Sequence, residues 1–376
     1  MLNSGIANAL PLRSALVGLL SFAAVSAAQQ VQHYKQTNLV SDQSGVAAAM
    51  DSNLVNPWGM SRSSGSPWWV SDNGTGKATL YTGTGTAASL VVTIPTGDPN
   101  ASTTGTPTGQ VFNGTQDFQI APGKPALFIF VTEDGTVSGW NPGVNLSSAV
   151  IKVPEKLPTT GASVFKGVAL ATITDPSGGT TNFLYVADFR KGRVNVYDKN
   201  FHQVSLGAEA FRDDHVRAGF APFNVQNIGG NIYVSYGKQD SQKHDEVDGA
   251  GLGYVDVYTP WGHLIHRLEH GWWLNAPWAM TQAPSDFGAY SHDILVGQFG
   301  SGNIDVFDPV TGEFKGFLND ASNMPITIDG LWDISFGGGG TSGPANTLFF
   351  TAGSDGEQHG LFGTITPVEN VLGGDQ

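Results

Sequence analysis

Asn56-Pro57-Trp58-Gly59-Met60, then Trp68-Trp69-Val70-Ser71-Asp72 and a turn, is one copy of a unit that recurs along the chain. The second element of the unit returns as Phe128-Ile129-Phe130-Val131-Thr132, Leu184-Tyr185-Val186-Ala187-Asp188, Ile232-Tyr233-Val234-Ser235-Tyr236, Ile294-Leu295-Val296-Gly297-Gln298 and Leu348-Phe349-Phe350-Thr351-Ala352. Short runs of β-branched and aromatic residues between turn signals read as strands. The first element returns at Asp117-Phe118-Gln119-Ile120, Lys166-Gly167-Val168-Ala169, Pro222-Phe223-Asn224-Val225, Ala276-Pro277-Trp278-Ala279-Met280 and Gly330-Leu331-Trp332-Asp333-Ile334. Anchors at 58, 118, 167, 223, 278 and 332 are spaced by 60, 49, 56, 55 and 54 residues. A period of roughly 50 residues holding several short strands is the mark of a propeller.

The expected fold is therefore all-β, a six-bladed β-propeller. The last unit runs out of chain after Leu361–Ile365, while His33–Val40 precedes the first unit without a partner. That run is expected to supply the missing outer strand of blade 6 and close the ring, because an open ring would expose unpaired strand edges.

Residues 1–28 read as a signal peptide. Arg13 precedes the apolar run Ala15–Val25, and the small residues Ser26, Ala27 and Ala28 follow. The run is too short to span a bilayer, which takes about 20 apolar residues. Residues 29–376 are expected to form one exported, extracellular domain, a monomer with no membrane segment. The chain has no cysteine, which excludes thiolate nucleophiles and cysteine-held zinc. Its net charge of −14 argues against nucleic acid and anionic membranes as partners. Sequons at Asn73, Asn100, Asn113 and Asn145 lie in Gly/Thr/Pro-rich sequence and are candidate glycan acceptors.

The stretches Asn38-Leu39-Val40-Ser41-Asp42, Asn53-Leu54-Val55-Asn56-Pro57-Trp58-Gly59 and Trp69-Val70-Ser71-Asp72-Asn73-Gly74-Thr75-Gly76 resemble a family of secreted propeller proteins of unassigned function. That family is similar to NHL-repeat propellers. The resemblance covers nearly all of residues 29–376 and implies a six-bladed propeller and export, without a reaction. A more distant, architectural likeness is to gluconolactonase-like propellers, which bind a divalent metal in the central channel.

In a propeller the D-to-A and B-to-C connections share one face, at the channel mouth. Here those connections are long and polar: Pro95–Gln116, Pro154–Phe165, Gly207–Ala221 and the blade 4 insertion Gly237–Gly253, which carries Asp240, His244, Asp245, Glu246 and Asp248. Asn56, Asp117, Asn275 and Asp329 precede their anchors and are expected to converge at the mouth, where oxygen donors from several blades would suit Ca²⁺. The alternative is that these residues cap turns. Asp72 and Asp188 occupy one repeat position, and the turns Glu133-Asp134 and Asp355 join them in an acidic mouth. His244 is a candidate acid or base. Trp272 and Trp273 would suit stacking on a sugar ring, with burial beneath the loop as the alternative.

Two functions fit. One is an extracellular binding or interaction module for an unidentified ligand, a glycan or another small molecule, held at the mouth. The other is a calcium-dependent hydrolase of lactonase type, with Asp329 or Asp117 moving protons.

Overall fold

Strand formation here follows from burial on both faces. In Phe128–Thr132, Phe128 and Phe130 pack toward Trp69, Leu80 and Val92, while Ile129 and Val131 pack the opposite way toward Val168, Leu184 and Val186. Each blade is thus sandwiched between two neighbours, so its strands carry continuous apolar runs rather than alternation. Truncating one of these rings, as in Phe130→Ala, would cost about 3–5 kcal/mol.

The computed structural model describes Met1 and residues 32–97, 104–154, 162–174 and 177–368. The signal-peptide segment, Asn100 and part of the Pro154–Phe165 connection lie outside the described residues. The described residues from Gln32 onward belong to one unit, whose six blades are sheets of four or five strands, with the four strands of each blade paired antiparallel. With strands lettered A to D from the axis outward, the inner strands are Pro57–Ser61, Pro107–Phe112, Phe165–Thr174, Phe220–Ile228, Pro277–Gln282 and Leu331–Phe336. Each touches the next in that order, and the sixth touches the first. The outer strands of blades 1 to 5 are Val92–Thr93, Val150–Val153, Gln203–Val204, Leu264–Arg267 and Phe314–Phe317.

Tyr34–Ser41 is the outer strand of blade 6, antiparallel to Leu361–Pro367 from Tyr34↔Pro367 to Ser41↔Leu361. The ring is closed by its two chain ends, as expected. Tyr34 anchors the closure: its ring is buried and its hydroxyl donates to Phe287 O at 3.0 Å.

Blade 2 differs from the expectation. Its inner strand is Pro107–Phe112, and Phe118 lies in the A-to-B connection, beside the small hairpin Gln119–Ala121/Lys124–Pro125. The connection Pro95–Gln116 therefore contains the inner strand rather than preceding it. The register makes Trp58, Thr108, Lys166, Phe223, Trp278 and Trp332 equivalent, each directly following the residue at which the pairing with strand B shifts register. The spacings become 50, 58, 57, 55 and 54. The error has a physical source: blades 2 and 3 carry a threonine and a lysine where the others carry an aromatic ring, and Phe118 imitates the missing anchor.

Glycine follows this position in blades 1, 2 and 3 because the strands crowd together near the axis. A Cβ on Gly109 would stand 2.8 Å from Val168 N, and one on Gly167 only 1.9 Å from Asn224 Oδ1. Side chains stitch the inner strands across blades. Gln110 Nε2 donates to Gly59 O at 2.9 Å, Asn224 Nδ2 to Trp278 O at 2.8 Å, and Met60 N donates to Asp333 Oδ2 at 2.8 Å.

Candidate functional site

Of the six equivalent positions, the four aromatic ones meet at the axis. Trp58 and Trp332 stack with centroids 3.4 Å apart; Trp278 stands edge-on to both, and Phe223 and Phe299 close around Trp332. Lys166 is the exception in blade 3. Its stem is fully buried and its ammonium lies 4.8 Å from the centre of the Trp58 ring. A buried ammonium needs anions, and two blades supply them. Glu133 Oε1, from the B-to-C turn of blade 2, is 2.6 Å from Nζ; Asp245 Oδ1, from the blade 4 insertion, is 3.4 Å away.

From this pair a hydrogen-bonded chain crosses the mouth. Asn73 Nδ2 of blade 1 donates to Glu133 Oε2 at 3.0 Å. Asn56 Nδ2 donates to Asn73 Oδ1 at 3.4 Å and to Glu357 Oε2 of blade 6 at 2.7 Å, while Trp332 Nε1 donates to Asn56 Oδ1 at 2.9 Å. At the other end His244 Nδ1 lies 2.8 Å from Asp245 Oδ1. Asn56 and Glu357 both have left-handed backbone, with φ of 46° and 68°. Such conformations cost free energy outside glycine and persist where surrounding contacts enforce them; here they aim the two side chains at each other.

The electrostatics follow from burial and crowding. Burial disfavours the Lys166 ammonium, but Glu133, Glu246 and Asp245 more than reverse this, and the group is held charged. The hydrogen bond from His244 leads the effects that lower Asp245 to about 2, and the same bond raises His244. Burial raises Glu246 to about 8, with Glu357 and Asp248 adding repulsion against the partial relief from Lys166; Glu357 is raised too, again chiefly by burial. Neighbouring residues 245 and 246 thus present one carboxylate and one carboxylic acid near neutral pH, the split that separates proton acceptor from proton donor.

Of the residues singled out in the sequence, Asn56, Asn73, Glu133, His244 and Asp245 lie in this chain. Asn275 is on the mouth face, where its Oδ1 accepts from Gly249 N at 2.6 Å and ties the blade 4 insertion to blade 5. Asp329 is exposed there, and its Oδ2 accepts from Asp355 N at 2.8 Å. Asp117 is not at the mouth. It belongs to an A-to-B connection, on the opposite face, where it accepts from Asn182 Nδ2 at 2.7 Å and lines a cavity of about 420 Å³ with Gln119, Lys152, Lys199 and Asn200. The four-donor set Asn56, Asp117, Asn275 and Asp329 is therefore not assembled, because Asp117 precedes a false anchor.

Asp72 and Asp188 share a structural position, as expected, but both are buried within their blades. Asp188 Oδ2 accepts from Ser163 Oγ and Asn195 Nδ2, and its Oδ1 from Lys191 N. Asp72 is raised well above the carboxylate range by burial. Trp272 and Trp273 lie over the outer strand of blade 5 rather than at the axis. Trp273 is half-buried and stacks on Phe314 at 4.2 Å, while Trp272 is exposed beside Phe317. Lys166 and Glu357 escaped the sequence reading. A charge in the slot where aromatics recur is the signal for Lys166, and taking Gly167 as the anchor of blade 3 misses it by one residue.

Glu133, His244 and Asp245 bring three ligand-type atoms within 4.8 Å of one another. Among the described residues no helix is long and apolar enough to cross a membrane.

The fold and its mouth define a six-bladed β-propeller with a polar site at one end of the axis. Solved propellers share the architecture: the chain matches a streptogramin B lyase with a TM-score of 0.50 at 11% identity, covering 91% of this chain and all of that one. It matches the apo-form of the soluble aldose sugar dehydrogenase of Escherichia coli with a TM-score of 0.51 at 11% identity, covering 89% and 100%. At such identity the likeness is one of fold alone. In sequence, the chain is 31% identical over 342 residues to the uncharacterized protein R648 of Acanthamoeba polyphaga mimivirus, covering 89% of this chain and 80% of that protein. A second relative, the uncharacterized protein L690 of the same virus, is 29% identical over 345 residues, covering 89% and 86%. The chain belongs to the R648 family. No family model matches it, that of the NHL repeat included.

Proposed function

We propose that this chain is an exported propeller that binds a small cationic ligand at its channel mouth. Export rests on the Arg13, Ala15–Val25 and Ser26–Ala28 pattern. The observation that carries the binding reading is the charge balance. The carboxyl groups of Glu133, Asp245, Glu246 and Glu357 come from blades 2, 4 and 6, and among the described residues Lys166 is the one ammonium in contact with them. Fully ionised, the site is three charges negative with His244 neutral. Glu246 relieves that excess by holding a proton to about pH 8; an entering cation would take over the proton's role and expel it. The net charge of −14 would raise the local concentration of such a ligand.

The test is calorimetry near pH 7 with a linear aliphatic diamine, in two buffers of different ionisation enthalpy. The expected result is a dissociation constant tighter than about 1 mM, equivalent to about 4 kcal/mol, with proton release on binding. Glu133→Gln and Glu357→Gln should each weaken it at least fivefold. No binding of diamines or guanidinium compounds, judged by heat and by melting temperature at tenfold higher concentration, refutes the reading.

The Glu133–His244–Asp245 triplet favours a second reading, a metal-dependent hydrolase in which a bound divalent ion polarises a carbonyl and Glu246 donates a proton. Lys166 weighs against it. At an effective dielectric of 20, a dication 4 Å from an ammonium is repelled by about 8 kcal/mol, twice the figure for unit charges. That cancels the attraction of one of the two carboxylates. Lys166→Met is therefore expected to raise metal affinity above that of the natural protein; strong Ca²⁺ or Zn²⁺ binding by the unaltered protein would instead promote the hydrolase.

A further inference from the structure

Three described sequons allow a comparison, because two of them fold alike and differ in burial. Asn113-Gly114-Thr115 and Asn145-Leu146-Ser147 both curl so that the asparagine carbonyl accepts from the backbone two residues on: Thr115 N at 3.0 Å and Ser147 N at 3.0 Å. The amide nitrogens then part company. Asn113 is 1% exposed, and its Nδ2 gives both hydrogens away inside the blade, to Asp117 O at 3.0 Å and Ala126 O at 2.8 Å. A substituted amide has one hydrogen left, so a sugar there would cost a buried hydrogen bond and find no room. Asn145 is exposed, in the C-to-D connection of blade 2, on the face opposite the mouth. Its Oδ1 is turned inward by Ser147 N and also by Ser148 N at 3.2 Å, which leaves Nδ2 on the solvent side. The backbone around it is held, since Trp140 Nε1 donates to Leu146 O at 3.0 Å and the neighbouring Ser148 bridges to Thr93. The third sequon, at Asn73, is half-buried and its Nδ2 serves Glu133 in the mouth.

We propose that Asn145 is an N-glycan acceptor and that Asn113 is not; this rests on the reading that the chain is exported. In the transfer, Nδ2 loses a proton and bonds to the anomeric carbon of a diphosphate-linked oligosaccharide donor. The sugar's bond to the diphosphate breaks, and the diphosphate leaves with the electron pair, the proton passing to solvent. The glycan would stand on the face away from the mouth and leave the site open.

The experiment uses the full chain in a eukaryotic cell, once with its own residues 1–28 and once behind a foreign secretion signal, each with an Asn145→Gln counterpart. Peptide mapping after an amidase that converts glycosylated Asn to Asp reads occupancy residue by residue. The expected result is conversion at Asn145, its loss together with one mass step in Asn145→Gln, and unmodified Asn113 in the folded product. Unmodified Asn145 behind the foreign signal, or modified Asn113 in protein with an unaltered melting temperature, overturns the proposal. If only the foreign signal yields lumenal, glycosylated protein, the export reading fails while the acceptor assignment is upheld.

Discussion

Replacing Lys166 by methionine keeps a stem of similar length in the channel and removes only the charge. What remains is Glu133, whose side chain is 11% exposed and which would keep one donor, Asn73 Nδ2. Asp245 is 62% exposed, so water replaces its lost partner at little cost. Breaking a buried pair by removing one member costs about 3–5 kcal/mol. Glu133 is partly exposed and can take up a water, so the lower end, about 3 kcal/mol, is expected. Unfolding entropy is about 2.1 cal/mol/K per residue, roughly 0.7 kcal/mol/K for a chain of this size, which converts the loss to about 4 °C in melting temperature. The assay is calorimetry at pH 7 on the natural protein, Lys166→Met, Glu133→Gln and the double variant. The double variant should be no less stable than Lys166→Met, because the stranded charge is gone, and the coupling should exceed about 1 kcal/mol. A Lys166→Met protein melting within a degree of the natural one, or additive losses in the double variant, would refute the claim that the ammonium is held by a desolvated acid.

Burial raises Asp256 and Asp333 to about 7 and Glu246 to about 8. A group whose folded value lies above its unfolded one stabilises below the unfolded value and loses that contribution as pH rises through the folded one. The protein should therefore melt higher at pH 5 than at pH 8.5, with Asp256→Asn flattening part of the slope; a melting temperature that climbs over that range would contradict the burial assignments. Gly167→Ala should destabilise by about 2–3 kcal/mol, the upper part of the overpacking range, since its Cβ would stand 1.9 Å from Asn224 Oδ1 and 2.6 Å from Asn224 Cα; denaturant midpoints read it, and an unchanged midpoint refutes the strand crowding. Deleting residues 32–41 removes the closing strand of blade 6 and leaves Leu361–Pro367 as an open edge, so light scattering should show association; a monomer of unaltered stability would mean the ring does not depend on that closure.

Period, strand type and blade count were legible in the chain because burial on both faces imposes a local demand on every strand, written as runs such as Phe128–Thr132. The closure by residues 34–41 was legible as well, since the repeat left one strand missing at one end and one spare at the other. Blade 2 was misread because local pattern cannot distinguish Phe118, buried in a connection, from a ring on the axis. The equivalence of Asp72 and Asp188 could be read from the repeat, but not which way they point, for both turn into their own blades. The mouth itself was decided only in three dimensions. Glu133 and Asp245 stand 112 positions apart in the chain, and Asn56 and Glu357 are separated by 301; no local rule relates them. They meet because closing the ring brings turns from all blades to one axis, where the low dielectric around Lys166 turns scattered acids into a coupled set. The sequence by itself determined the blades and their order. The tertiary structure alone decided which charges would share a site, because burial and separation through space set their energies and neither is a property of neighbours along the chain.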